Sequence, residues 1–474
     1  MNKLLKNTIY YSIGEICPRI ISFILLPIYT HYLSPADYGI LSYTNTIILF
    51  LFVLGTMSLN SFVLRYYFVW NNEKDRRRLI GSVVAAITVM NILILFLAYV
   101  SFPYLIDNFQ IQIPWDPYFK LAIISNFLDS FSIIPLVVYR VRQDALNFVS
   151  ISLGKSLLLV AFNLFFVVYL QIGLIGSYYA MLCTYIPYFF LYIYIIRKYA
   201  GLYFDFSIIK EGLKYSSPLI PGALAYLILS VSDRIILEQN VPLSQIGVYN
   251  VAFTISLALN IIIQSGYKAI EPEIFQRYGK TGYYNFIKNA QKRFFILIYA
   301  MALCICLFSQ EIFFFMTSKN FHDGYKLVPL LIVGVVMTGQ NVIYSGILSA
   351  EKRTKVVGGA TFSGAICSIL FNLILIPLWG IYAAALSSAI SFTVMNTLLF
   401  AKMSFEGKSM YKESLSIIII PVVAYILFYI FPEITWISIL IKCGALIVYT
   451  FGIIMFFGFD LVDIKNIFYI NNKL

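Results

Sequence analysis

Charge is scarce in this chain of 474 residues. Asp, Glu, Lys and Arg together make up 12%, about half the share found in ordinary soluble domains. Such a composition cannot coat a water-facing surface, so a soluble globular protein is excluded. Histidine is almost absent: His31 and His322 both fall in or near turns, which removes a His-based metal site or catalytic triad. The cysteines Cys17, Cys183, Cys304, Cys306, Cys367 and Cys443 all lie in apolar runs. They have no metal-ligand spacing, and Cys304 and Cys306 are too close to share a helix face. They read as small buried hydrophobes. Long polar connections are missing too, the longest being about 271–293. No extramembrane domain is expected, and the chain reads as a non-enzyme that works within the bilayer, with no cofactor and no metal.

What the chain has is apolar length. Hydrophobic residues make up 60% and the mean hydropathy is +0.84. A spanning helix needs about 20 mostly apolar residues. Fourteen runs qualify: 8–32, 38–64, 79–106, 117–139, 146–170, 173–196, 215–238, 246–268, 294–317, 326–350, 356–377, 380–401, 414–431 and 434–458. The segments 38–64, 79–106 and 171–196 contain no charged side chain. The first run holds Glu15 and Arg19 and no cleavage motif, so it reads as an uncleaved span, not a signal peptide. Basic residues crowd the even connections, as in Arg76, Arg77 and Arg78 or Lys352, Arg353 and Lys355, whereas the odd ones hold only Lys319 and Lys326. The positive-inside rule then puts both termini in the cytosol. The net charge of +12 is mostly topology, which leaves nucleic-acid binding without support.

The chain repeats itself. Ser34-Pro35-Ala36-Asp37-Tyr38-Gly39 is echoed by Pro242-Leu243-Ser244-Gln245-Ile246-Gly247, Thr46-Ile47 by Thr254-Ile255, and Phe162-Asn163-Leu164 by Phe371-Asn372-Leu373. The offset stays near 208 residues and implies a unit of six spans. An even count gives two parallel units, an arrangement that places a transport site near the midplane. The expected division is residues 1–198, then 199–405, then a further pair of spans in 406–474. Ser34, Pro35 and Asp37 suit a helix start, as cap, first-turn proline and acid at the positive helix end.

A charge deep in the bilayer costs about 3 kcal/mol or more and usually faces a cavity or a partner. Arg19 and Lys155 lie near the middle of their spans and are the prime cavity-lining cations, with Arg234 and Lys268 behind them. Glu15, Asp129 and Asp233 are the acidic candidates, for lining or for ion coupling. The plainer alternative is internal pairing: Glu15 with Arg19, Arg234 with Glu238, Asp129 with Lys155. Lys442 and Lys120 are expected to snorkel. Pro18, beside Arg19, and Pro221 in span 7 are the hinge candidates. Most of the 37 Tyr and 41 Phe read as compositional bias and interfacial belts.

Asn7-Thr8 before the first span, and Tyr32-Leu33-Ser34-Pro35-Ala36-Asp37-Tyr38-Gly39-Ile40-Leu41-Ser42 after it, resemble the polysaccharide-biosynthesis flippases. These are the Wzx-type O-antigen and capsule transporters of the multidrug/oligosaccharidyl-lipid/polysaccharide (MOP) exporter superfamily. The resemblance implies an all-α integral membrane fold with two six-helix lobes around a central cavity, MATE- or MurJ-like, plus two extra C-terminal helices. It implies a bacterial inner-membrane protein that carries an undecaprenyl-pyrophosphate-linked oligosaccharide to the outer leaflet, with a glycan polymerase and a chain-length regulator as partners. Arg19 matches the family's basic first helix, and Arg234 and Lys268 the basic positions of the second lobe. Chemistry agrees, since Arg and Lys compensate a pyrophosphate and Arg can grip it bidentately. Coupling to a proton or sodium ion through Asp129 or Glu15 stays open. The rivals are a drug or cation antiporter, which would favour acidic cavity residues, and a membrane glycan polymerase or ligase, which would need a large outer loop carrying carboxylates.

Overall fold

The computed structural model describes residues 3–70, 72–201, 203–403 and 415–456, and all the regular structure in them is helical. The chain divides into two compact units, Met1–Gly247 and Val248–Leu474. The first holds α1 (Lys3–Tyr32), α2 (Pro35–Thr56), α3 (Leu59–Tyr66), α4 (Glu73–Phe109), α5 (Lys120–Ser130), α6 (Ile133–Val141), α7 (Ala145–Asn163), α8 (Leu174–Tyr199), α9 (Phe206–Ser216), α10 (Ile220–Val231), α11 (Asp233–Glu238) and the start of α12 (Leu243–Arg277). The second holds the rest of α12, then α13 (Tyr283–Leu307), α14 (Ser309–Met316), α15 (Val328–Ala350), α16 (Thr354–Lys402), α17 (Ile419–Ile430) and α18 (Trp436–Phe456).

Among the described residues, 11 helices are long and apolar enough to cross a membrane. Their outward faces show why. On α4, Val89, Ile92, Leu93, Phe96, Leu97, Val100 and Tyr104 are all at least 45% exposed. They follow the i, i+3, i+4, i+7 spacing of one helix face, and lipid is the solvent that tolerates it. The opposite face buries Leu79, Ile80, Val83 and Ile87 against Leu59, Phe62, Ile134 and Ile208. The protein is a multi-pass membrane protein.

Local chemistry sets the helix ends. Ser34 and Asp37 form a full capping box: the Asp37 amide donates to Ser34 Oγ (3.2 Å) and the Ser34 amide to Asp37 Oδ2 (3.0 Å). Pro35 sits in the first turn, where its missing N–H leaves no bond unmade. The expected runs 356–377 and 380–401 form one 49-residue helix broken at Gly380, whose φ of 55° and ψ of −130° suit only glycine. Around the expected run 215–238 the chain is segmented. A 3-10 turn at Ser217–Leu219 leads into α10, with Pro221 in its first turn, and Ser232 separates α10 from α11. Pro18 lies inside α1, which continues through it.

Two glycines make the closest helix approach in the first unit. A Cβ on Gly39 of α2 would stand 2.1 Å from the carbonyl oxygen of Leu243. One on Gly247 of α12 would stand 1.9 Å from the carbonyl oxygen of Pro35. The contact is reciprocal: each glycine faces the residue four positions before the other. These are the same glycines that the internal repeat aligns. Gly39→Ala or Gly247→Ala must push backbone from backbone and should destabilise the protein by about 1–3 kcal/mol. Gly359→Ala, at a site with nothing within 4 Å, serves as control. Melting temperatures of the three purified variants check this; equal values for all three would show the crossing to be loose.

The cysteines need correction. All six are free, but only Cys306 is buried; Cys17, Cys183, Cys304 and Cys367 are half-buried and Cys443 is exposed. An apolar run in a membrane helix has a lipid-facing side, so an apolar neighbourhood in sequence does not imply burial in protein.

Candidate functional site

Several of the charged candidates sit in ion pairs, some between helices and one between neighbours on a single helix. Asp129 lies at the end of α5 and Lys155 about 15 Å along α7 at a 1.5 Å rise per residue, close to half of a hydrocarbon core about 30 Å thick. The Lys155 ammonium donates to Asp129 Oδ1. Both side chains keep about a quarter of their surface exposed, 22% and 26%. The ammonium also stands 4.9 Å from the ring centroid of Tyr185 on α8, an attractive geometry for a cation over an aromatic face.

Asp129 opens on a cavity of about 230 Å³. The rest of its wall is mixed and mostly apolar: Asn45, Ile48, Leu49 and Phe52 of α2, Ser125 and Asn126 of α5, and Met181 and Tyr185 of α8. Ser125 and Asn126 are buried, yet Ser125 Oγ and Asn126 Oδ1 have no hydrogen-bond partner. Buried polar atoms are normally satisfied, so these two are uncommitted polar groups held close to the Asp129 carboxylate. The pair was the plainer alternative for Lys155, and the structure forms it; of the two, Asp129 lines the cavity.

The other candidates fall as follows. Glu15 Oε1 accepts from Arg140 Nη2 at 3.0 Å, which ties α1 to the end of α6. Arg19 lies on α1, and its side chain is outside the described residues. Arg234 Nη1 donates to Asp233 Oδ1 at 2.8 Å, with both side chains under 5% exposed. Glu238, the partner suggested by the four-residue spacing, accepts from the Gln112 amide N–H, and Gln112 Nε2 also donates to the carbonyl oxygens of Glu238 and Val241. Lys268 stands exposed on α12 in the second unit. Thus Asp129 joins Lys155 and Asp233 joins Arg234, while Glu15 joins a residue outside the candidate set.

Lys442 is a correction. It does not snorkel: it is fully buried on α18, donating to Gln310 Oε1 (2.8 Å) and Glu311 Oε1 (2.7 Å) of α14. Sequence reading missed Glu311, a carboxylate in a run otherwise taken as apolar. Its partner is 131 residues away, so no local spacing could reveal it. The one available signal was the adjacent polar pair Gln310-Glu311 near the end of a span.

The Asp129–Lys155 pair gives a measurable coupling. Asp129→Asn and Lys155→Met should each destabilise the protein, and the double variant should recover part of the loss. A double-mutant cycle on melting should return an interaction of about 0.5–3 kcal/mol. Strict additivity would mean the two charges do not sense each other.

A family model described as polysaccharide biosynthesis protein matches residues 4–276, more than half of the chain. The chain belongs to the polysaccharide biosynthesis protein family. Among relatives of this family member, an Lsg locus protein of Haemophilus influenzae is 21% identical over 280 residues, 58% of this chain and 66% of its own length. A protein of Haloferax volcanii described as a probable low-salt glycan biosynthesis flippase, Agl15, is 24% identical over 200 residues, 42% of each chain. The chain therefore spans less than two thirds of either relative. Among solved structures, the lipid II flippase MurJ in an inward closed conformation superposes with a TM-score of 0.73 at 17% identity, covering 96% of this chain and 99% of MurJ. An inward-facing multidrug resistance MATE family transporter of the MOP superfamily gives 0.66 at 13% identity, covering 83% and 96%. The fold is that of MurJ and the MATE transporters. Family membership rests on the matching model and the fold on the superpositions.

Proposed function

We propose that this protein is a Wzx-type flippase. It carries undecaprenyl-pyrophosphate-linked repeat units of O-antigen or capsule from the inner to the outer leaflet by alternating access. The observation that carries the reading is a charged group held inside an apolar span and opening on a cavity, Asp129 with its partner Lys155 behind it, in a chain with the family and fold just described. A pyrophosphate crossing hydrocarbon needs compensating cations, and its sugars need a wet path. Arg19 and Lys155 supply positive charge, seconded by Arg234 and Lys268; the polyprenyl tail stays in lipid. Asp129 and Glu15 are the groups for proton or sodium coupling, with Asp233 as a third acid and Pro18 and Pro221 as hinges. The repeat halves are 1–198 and 199–405, with 406–474 as the additional pair, fourteen spans in all. The basic connections face the cytosol of a bacterial inner membrane, where the polymerase and chain-length regulator receive the product on the far side.

The direct test is reconstitution into vesicles with a fluorescent undecaprenyl-pyrophosphate-linked oligosaccharide and a membrane-impermeant quencher. Exposure of the label should accelerate with protein present. Vesicles that leave the lipid-linked sugar in place but expel a cationic drug against a sodium or proton gradient would give the protein to the antiporter class. Chain lengthening of the sugar would give it to the polymerases.

A further inference from the structure

We propose that a second cavity, at one end of the second unit, is a carbohydrate subsite that takes a sugar ring of the glycan. It rests on the flippase reading for the presence of a glycan there, and on the chemistry of the cavity walls for the rest. The cavity measures about 400 Å³, within the range of about 300–1,000 Å³ typical of small-ligand sites. It forms where α14, the turn Lys319–Leu327 and the connection between α17 and α18 meet. Gln310, Phe313, Phe314, His322, Tyr325 and Glu433 line it.

Each polar wall is oriented. Gln310 is only 6% exposed, and its Oε1 accepts from the Lys442 ammonium. An ammonium only donates, so the amide oxygen must face it, and the NH2 is left as the uncommitted donor. Buried Lys442 therefore acts as a positioning residue for an amide. His322 Nε2 lies 3.3 Å from the Thr317 carbonyl oxygen; donating there, the ring keeps Nδ1 as an acceptor. Glu433 adds an exposed carboxylate acceptor. Phe314 is 56% exposed and packs 5.9 Å from the His322 ring.

A donor, two acceptors and the open ring of Phe314 match a sugar, which offers hydroxyls at its edge and C–H groups on its faces. An acyl chain would bury these polar groups without partners, an unfavourable exchange. The level is right as well. Tyr429 and Trp436, 89% and 84% exposed, bracket the α17–α18 connection as an interfacial belt. The cavity thus opens at headgroup height, on the side that the basic-residue bias assigns to the outside. There it would meet a glycan whose lipid is still in the membrane.

The test is saturation-transfer NMR on the full chain in lipid nanodiscs, free of sugar-based detergent, with N-acetylglucosamine, galactose and rhamnose as probes. At least one probe should receive saturation. Its affinity should fall about tenfold in Gln310→Leu and in Phe314→Ala, the size of effect expected for one lost polar contact. Glu433→Gln, on an exposed connection, gives an independent reading if Gln310→Leu fails to fold. No transfer to any probe, equal affinity in all variants, or exclusive occupation by a spin-labelled acyl chain would overturn the proposal. The two readings separate cleanly. Vesicle transport without sugar binding leaves the flippase standing and removes the subsite; sugar binding without transport does the reverse.

Discussion

Lys442→Met should unfold the junction between α18 and the rest of the second unit. The ammonium is fully buried and carries two bonds, to Gln310 and Glu311. Removing it leaves the Glu311 carboxylate in a buried site with no counter-charge, and Glu311 Oε2 already has no hydrogen-bond partner. Breaking a buried pair from one side typically costs about 3–5 kcal/mol, a large part of a marginal stability. We expect a much lower melting temperature and faster proteolysis of α18 in Lys442→Met. The double variant Lys442→Met/Glu311→Met should return close to wild type, because well-packed apolar pairs replace buried ion pairs at little net loss. If the single variant melts like wild type, the lysine is not held as a buried ion. The comparison also bears on α17 and α18: it asks whether one charge secures them or whether apolar packing alone does.

The second large effect concerns Arg19. Its backbone lies well inside α1, directly after Pro18. A guanidinium stays charged at any physiological pH, so at this depth it needs an anion or a wet surface. Under the proposed function, Arg19→Ala removes the primary phosphate ligand. Surface glycan should disappear from a flippase-deletion strain complemented with this variant, while membrane-fraction protein stays at the wild-type level. Arg19→Lys should restore only part of the export, since a single ammonium lacks the planar fork that binds phosphate bidentately. Normal glycan from Arg19→Ala would take the residue out of the site.

How much of this was legible in the sequence depended on range. Span positions follow from apolar length, a local property, and most runs coincide with long apolar helices, though 215–238 is broken up and 356–377 and 380–401 join at Gly380. The Ser34–Asp37 cap was readable for the same reason, its partners being three residues apart. Asp129 and Lys155 could be matched because adjacent spans give comparable depths. Glu311 and Lys442 could not, since their meeting depends on how α14 and α18 pack. The burial of Gln310 and the two unpartnered polar atoms beside Asp129 were invisible for the same reason. The Arg234 pairing shows a different limit. Spacing pointed to Glu238, one turn away, whereas the guanidinium bonds its neighbour Asp233 and Glu238 is taken up by Gln112.

The reciprocal glycine contact fixes what kind of movement α2 and α12 can make against each other. Each carbonyl clears only a bare Cα, and the next residues on the same helix face lie one turn, about 5.4 Å, away. A slide along the crossing therefore carries a side chain toward the opposing carbonyl, Ser42 or Tyr43 on α2 for instance. The paired glycines thus act as a register lock that sets the axial position of α2 against the first turn of α12.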